Sequence, residues 1–196
     1  MGESHTKGLG YMSDAADAPA LMQGYKEARV AILHQAEVEK GVVASASVLW
    51  TNADAGKKNT AAFAPLIDQR AAALLNEVKA GYQLQAAQRR LPAAEPVMTP
   101  EEREAANLVV EQVSGGQRGG GGGGGGGARG GGNAGPSVPQ EMNAEFTLLL
   151  GQHKTALEIR DFLSGEFTPL PLTDLMAVLR AREAAGTIRL VPKPGR

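Results

Sequence analysis

Apolar residues recur along this chain at three- and four-residue intervals over several long stretches, the spacing of amphipathic helices. Between residues 17 and 40, Leu21, Tyr25, Ala28, Ile32 and Ala36 share one face, and Met22 and Leu33 widen it. Asp17 stands where a helix needs a cap, Pro19 fits a first turn, and Lys40-Gly41 makes a natural stop. The strongest signal runs from Thr60 to Arg90. There Phe63, Leu66, Ile67, Ala71, Leu74, Leu75, Val78, Tyr82 and Leu84 form one broad stripe, opposite Asp68, Arg70, Glu77, Lys79 and Gln83. Asn59 or Thr60 can cap this helix, and Pro92 closes its far end. Such a stripe must be buried against something, and the preceding helix is the nearest candidate, giving a helical hairpin or small bundle.

Two stretches nearby read less simply. Residues 41–50 mix strand-favouring Val42, Val43, Val48, Leu49 and Trp50 with helix-favouring alanines. A lone strand has no evident partner here, so a continuing or second helix is expected. The Asn, Asp and Gly cluster of 51–60 reads as a loop. After the proline-punctuated connector 91–98, Thr99, Pro100, Glu101 and Glu102 spell a helix start with a capping box. Leu108, Val109 and Val113 then supply its apolar side up to Gly115.

Beyond residue 138 the pattern resumes. Met142, Phe146, Leu149 and Leu150 predict one helix, and Leu157, Ile159, Phe162 and Leu163 a second from about Thr155 to Ser164. "TPLPL" is extended because its prolines restrict their neighbours. Thr173 caps a third helix that turns Leu175, Met176, Val178 and Leu179 inward and ends at Gly186. "TIRLV" alternates in the manner of a short strand.

Between these two halves lies the compositional anomaly. Fifteen of the 26 glycines fall between Gly115 and Gly135, nine of them consecutive. A phosphate-binding loop would need a preceding strand and a Lys-Ser/Thr pair, neither of which is read here. Two Arg-Gly-Gly steps, at Arg118 and Arg129, suggest an RNA-binding arm. Two cations without lysine or aromatic neighbours hold little single-stranded nucleic acid, however. Glycine-rich composition describes a flexible tether first.

These patterns predict a mainly α chain built as two small helical modules. A flexible N-terminus covers 1–16, a helical hairpin or small bundle 17–114, a disordered glycine-rich linker 115–137, and a small helical module 138–193. A short terminal strand is an option in the last.

The chemistry is sparse. The 196 residues carry a formal charge of −1 and no cysteine, which removes disulfides, thiolate metal sites and cysteine nucleophiles. His5, His34 and His153 are scattered, without the spacing that puts two ligands on one helical face. No apolar run approaches the roughly 18 residues of a membrane span. No cofactor, metal or catalytic constellation is expected, and a cytoplasmic location is.

One stretch resembles a known fold. A helix ending in "REAAG" followed by "TIRLV" resembles the exit of a winged-helix domain, which implies that Arg180, Arg182 and Arg189 face phosphates. Residues 138–196 carry seven basic and seven acidic side chains, so this region has no basic field. The expected function is therefore protein interaction or scaffolding by two tethered modules, without enzymatic activity. A protein partner would dock on Phe162, Leu175, Met176 and Leu179, and the 60–90 helix offers a route to a homo-oligomer. One alternative is a nucleic-acid-binding regulator that uses Arg118 and Arg129 with the three arginines just named. Another is an accessory segment of a larger enzyme or assembly.

Overall fold

In the computed structural model, which describes residues 1–113 and 135–194, the chain is mainly helical with a short two-stranded sheet. Its compact units are Met1–Val97 with Ser164–Thr168, and Met98–Leu163 with Pro169–Arg196.

The first unit opens with helix α1 (Gly2–Ser13), where a flexible segment is expected from sequence. Its apolar stripe is too thin to announce it, since only Gly8 and Met12 are buried. Small residues let it lie close on helix α2 (Ala18–Ser45): a β-carbon added at Gly24 would fall 2.4 Å from the Tyr11 carbonyl oxygen. One added at Gly8 would sit 2.8 Å from the β-carbon of Ala28. Asp17 caps α2 by accepting from the Ala20 N–H at 2.8 Å, as its sequence predicts.

Helix α2 runs on through residues 41–45 into a 3-10 turn, Ala46–Leu49, so this ambiguous stretch is helical. The expected loop at 51–60 is instead helix α3 (Ala53–Ala61). Asn52, read as a loop residue, is its cap and accepts from the N–H groups of Asp54 and Ala55. Helix α4 (Ala64–Arg89) begins after Phe63 rather than at Asn59 or Thr60. It ends where Arg90 turns left-handed (φ 56°) and the Leu91 N–H bonds back to Ala86.

Leu21, Tyr25, Ala28, Ile32 and Ala36 of α2 pack with Ala71, Val78, Tyr82 and Ala86 of α4 and with Met12 of α1. Burying each large member contributes about 1.5–3 kcal/mol. The Arg89 guanidinium donates to the carbonyls of Ser13 and Ala15, which ties the end of α4 to the α1–α2 turn.

The second unit begins at Met98, upstream of the glycine run. Helix α5 (Pro100–Asn107) carries the predicted capping box: Thr99 Oγ1 accepts from the Glu102 N–H, and Glu102 accepts from the Thr99 N–H. The helix stops after two turns, and Leu108–Gln112, expected to continue it, is strand β1. Helices α6 (Asn143–Leu149), α7 (Ala156–Glu166) and α8 (Leu172–Ala184) follow, then strand β2 (Ile188–Pro192). Helix α8 starts behind Pro171, ahead of the expected Thr173 cap, and its exit is the left-handed Gly186 (φ 73°) that the sequence calls for.

Strands β1 and β2 pair antiparallel, with Val109 opposite Val191 and Glu111 opposite Arg189. On its other side Val109 bridges Thr155, and the Val110 N–H donates to the Lys154 carbonyl at 2.9 Å. Residues on both sides of the glycine run thus belong to one unit, and the compact units divide at Val97/Met98 instead. The expected tether itself lies outside the described residues.

Candidate functional site

The α2–α4 hairpin is covered unevenly along its length. The buried positions of α2 end at Ala36 and those of α4 start at Ala71. Beyond them the two helices leave a recess of about 370 Å³, lined by Val38, Val42 and Val43 from α2 and by Phe63, Leu66 and Ile67 at the start of α4. Val38 and Val42 are four residues apart, as are Phe63 and Ile67, so helical spacing puts each pair on one face. Gln35, Glu39 and Arg70 form the polar part of the lining.

The chain emerging from α2 carries further exposed apolar residues. Val48 and Leu49, in the 3-10 turn, leave 83% and 84% of their surface in solvent, and Trp50 is half exposed. Val42, Phe63 and Leu66 are also more than half exposed. Scattered apolar residues are ordinary on a protein surface, whereas these gather on the segments that end α2 and begin α4.

Charges at this end carry both signs and are largely paired. Lys40 Nζ reaches Asp68 at 3.0 Å and also Glu37, and the hydrogen bonds to Glu37 and then Asp68 hold its pKa above the ordinary lysine value. Glu39 accepts from the amino-terminal ammonium at 2.8 Å, and that hydrogen bond holds its carboxyl below the usual range.

The docking residues expected from sequence lie elsewhere. Leu175 and Leu179 have no exposed surface and Met176 keeps 8%, so α8 presents none of the three to a partner. Phe162 is half-buried. The described arginines expected to meet nucleic acid each make a different contact. Arg180 is exposed and ion-paired to Glu104 at 3.0 Å. Arg182 holds its guanidinium 4.7 Å from the centre of the Phe146 ring, and Arg189 stands across the ladder from Glu111. Arg118 and Arg129 lie outside the described residues.

Among the described residues no group of three or more His, Asp or Glu side chains could hold a metal ion. No helix there is long and apolar enough to cross a membrane. The Tyr11 hydroxyl is buried without a hydrogen-bond partner, and burial, then the nearby Glu27 charge, push its pKa up. A phenol held this way stays protonated and is a poor base or nucleophile.

Sequence reasoning assigned Phe63, Leu66 and Ile67 to the stripe that the hairpin buries. In the structure Ile67 is partly buried against the hairpin core, whereas Phe63 and Leu66 stay more than half exposed. Comparison of the chain with protein-family models, curated proteins and solved structures gives no match.

Proposed function

We propose that this chain is a non-enzymatic protein-interaction or scaffolding protein whose first unit makes contact through the open end of the α2–α4 hairpin. The observation that carries the reading is the recess lined by Val42 and Leu66, with the exposed Val48 and Leu49 on the turn that follows α2. An apolar surface of this extent is costly to leave in water and contributes to binding when covered.

The order α7, turn, α8, strand favours a second reading, a nucleic-acid contact by the second unit, because two helices followed by a strand is the order that a winged-helix resemblance implies. Against it stand the ion pair of Arg180, the stacking of Arg182 on Phe146 and the equal numbers of basic and acidic residues over 138–196. Phosphate binding requires cations that are free to replace counterions.

The test compares the full chain with its Val42→Glu and Leu66→Glu variants as affinity baits at physiological salt. The reading requires a partner retained by the parent and lost from both variants. Sub-micromolar binding of a duplex at the same salt, weakened by Arg180→Ala and Arg189→Ala and unaffected by Val42→Glu, would replace it with the nucleic-acid reading.

A further inference from the structure

We infer that the occupant of this apolar end is a second copy of the same chain, in a two-fold symmetric dimer; the inference rests on the interaction reading above. The hairpin carries a hole at this end, and the turn that follows α2 there carries a knob. The hole is the recess between α2 and α4, about 370 Å³. A cavity of roughly 150 Å³ takes one benzene-sized group, so this recess has room for about two aliphatic side chains. The knob is Val48 and Leu49, adjacent in sequence and the two most exposed of the large apolar residues.

A two-fold axis makes such a surface self-complementary: the knob of each copy enters the hole of the other, and one contact is made twice. A second copy covers both hole and knob.

Charge agrees with this pairing. Glu39 and Arg70 line the recess, and on the same two helices Lys40 pairs with Glu37 and Asp68. The rim therefore lacks the single-sign field that would drive identical surfaces apart. Area agrees as well. Seven large side chains at this end, Val38, Val42, Val48, Leu49, Trp50, Phe63 and Leu66, each expose a third or more of their surface. Both copies together would bury on the order of 1,000 Å² or more, the scale at which specific association separates from chance contact.

The experiment is sedimentation of the full chain over a concentration series, beside Leu49→Glu at the knob and Leu66→Glu at the hole. Both positions are exposed, so thermal melting should match the parent and show that the variants fold. The parent should form a dimer with a micromolar dissociation constant, and each variant should weaken it at least about 100-fold by placing a charge in an apolar contact. The chain has no cysteine, so thiols introduced by Leu49→Cys and Leu66→Cys are unique. With a short bismaleimide, a mixture of the two single variants should cross-link one to the other more efficiently than either cross-links to itself.

A parent that stays monomeric to about 100 µM overturns the dimer. If Leu66→Glu nevertheless abolishes capture of a different protein, the dimer falls and the interaction reading stands. If the parent is monomeric and both glutamate variants behave as the parent in capture, both fall. Dimerisation that neither variant weakens overturns this interface.

Discussion

The rings of Tyr25 and Tyr82 stack with their centroids 4.6 Å apart and their planes 8° from parallel, one on α2 and one on α4. Both are almost fully buried, and the Tyr82 hydroxyl donates to the Ala94 carbonyl at 3.2 Å. The pair fixes the register of the hairpin and anchors the segment after α4. Tyr82→Ala should destabilise the first unit by about 3–5 kcal/mol, as for other large aromatic truncations. Tyr82→Phe keeps the stack and loses only the hydrogen bond, so about 1 kcal/mol is expected. Urea denaturation followed by circular dichroism separates the two.

Two glycines of the same helix should respond in opposite directions to alanine. At Gly24 the added carbon would meet α1 backbone atoms at 2.4 and 2.8 Å, which cannot swing aside as a side chain can. Gly24→Ala should therefore detach or shift α1 and lower stability by about 1–3 kcal/mol, as overpacking does. Gly41 has nothing within 4 Å of that position and lies inside α2. Gly41→Ala should raise stability by about 0.5–1 kcal/mol through helix propensity alone. Thermal melts of both variants, with proteolysis after Lys7 as a probe of α1, check the contrast.

Acid should weaken the second unit through Glu158. Its carboxylate accepts from the Thr155 N–H at 2.8 Å in a reciprocal cap, with Thr155 Oγ1 taking the Glu158 N–H. The Thr155 backbone bond is the main cause that holds the Glu158 pKa below the ordinary value. A folded-state value below the unfolded one gives stability that is complete above the unfolded pKa. That stability is lost as pH falls through the folded pKa, on the acid side of the carboxylate range. Glu158→Gln can still cap but no longer titrates, so its melting temperature should depend less on pH between neutrality and pH of about 3.

Arg160 should prove structural. It is 7% exposed, and its Nε donates to the Leu170 carbonyl at 2.9 Å, bracing the extended turn between α7 and α8. Asp161 accepts from Nη1 at 3.1 Å. Arg160→Leu leaves that carbonyl without its guanidinium donor and should cost about 1–3 kcal/mol. Arg160→Lys should not restore it, because an ammonium lacks the planar fork that serves both acceptors. Denaturation midpoints of the two variants give the comparison.

What the sequence made legible follows from the range over which each signal acts. Helix α4, the Asp17 cap, the Thr99–Glu102 box and the exit at Gly186 are local, and each stands in the structure near its expected place. Strand β1 was hidden because its partner, Ile188–Pro192, lies about 80 residues on, and only that pairing decides Val109 and Val110 for strand over helix. Helix α1 was hidden because it is held by close approach at Gly8 and Gly24 rather than by an apolar stripe. The candidate site was missed for a related reason. Phe63 and Leu66 carry the same periodic signal as Val78 and Tyr82, and periodicity says which residues share a face, not whether another helix reaches far enough to cover it.

The antiparallel ladder sets how the second unit would respond to a pull. Leu108 opposes Pro192, and the Lys193 N–H bonds to the Asn107 carbonyl at 2.7 Å, so the chain enters and leaves the sheet at one end. Tension between the backbone before Leu108 and the backbone after Pro192 would peel these hydrogen bonds in sequence, starting at that Asn107 carbonyl. Force applied instead at Val113 and Pro192 would load them together in shear. Stretched along its own chain direction, the β1–β2 ladder would open by unzipping rather than by shear.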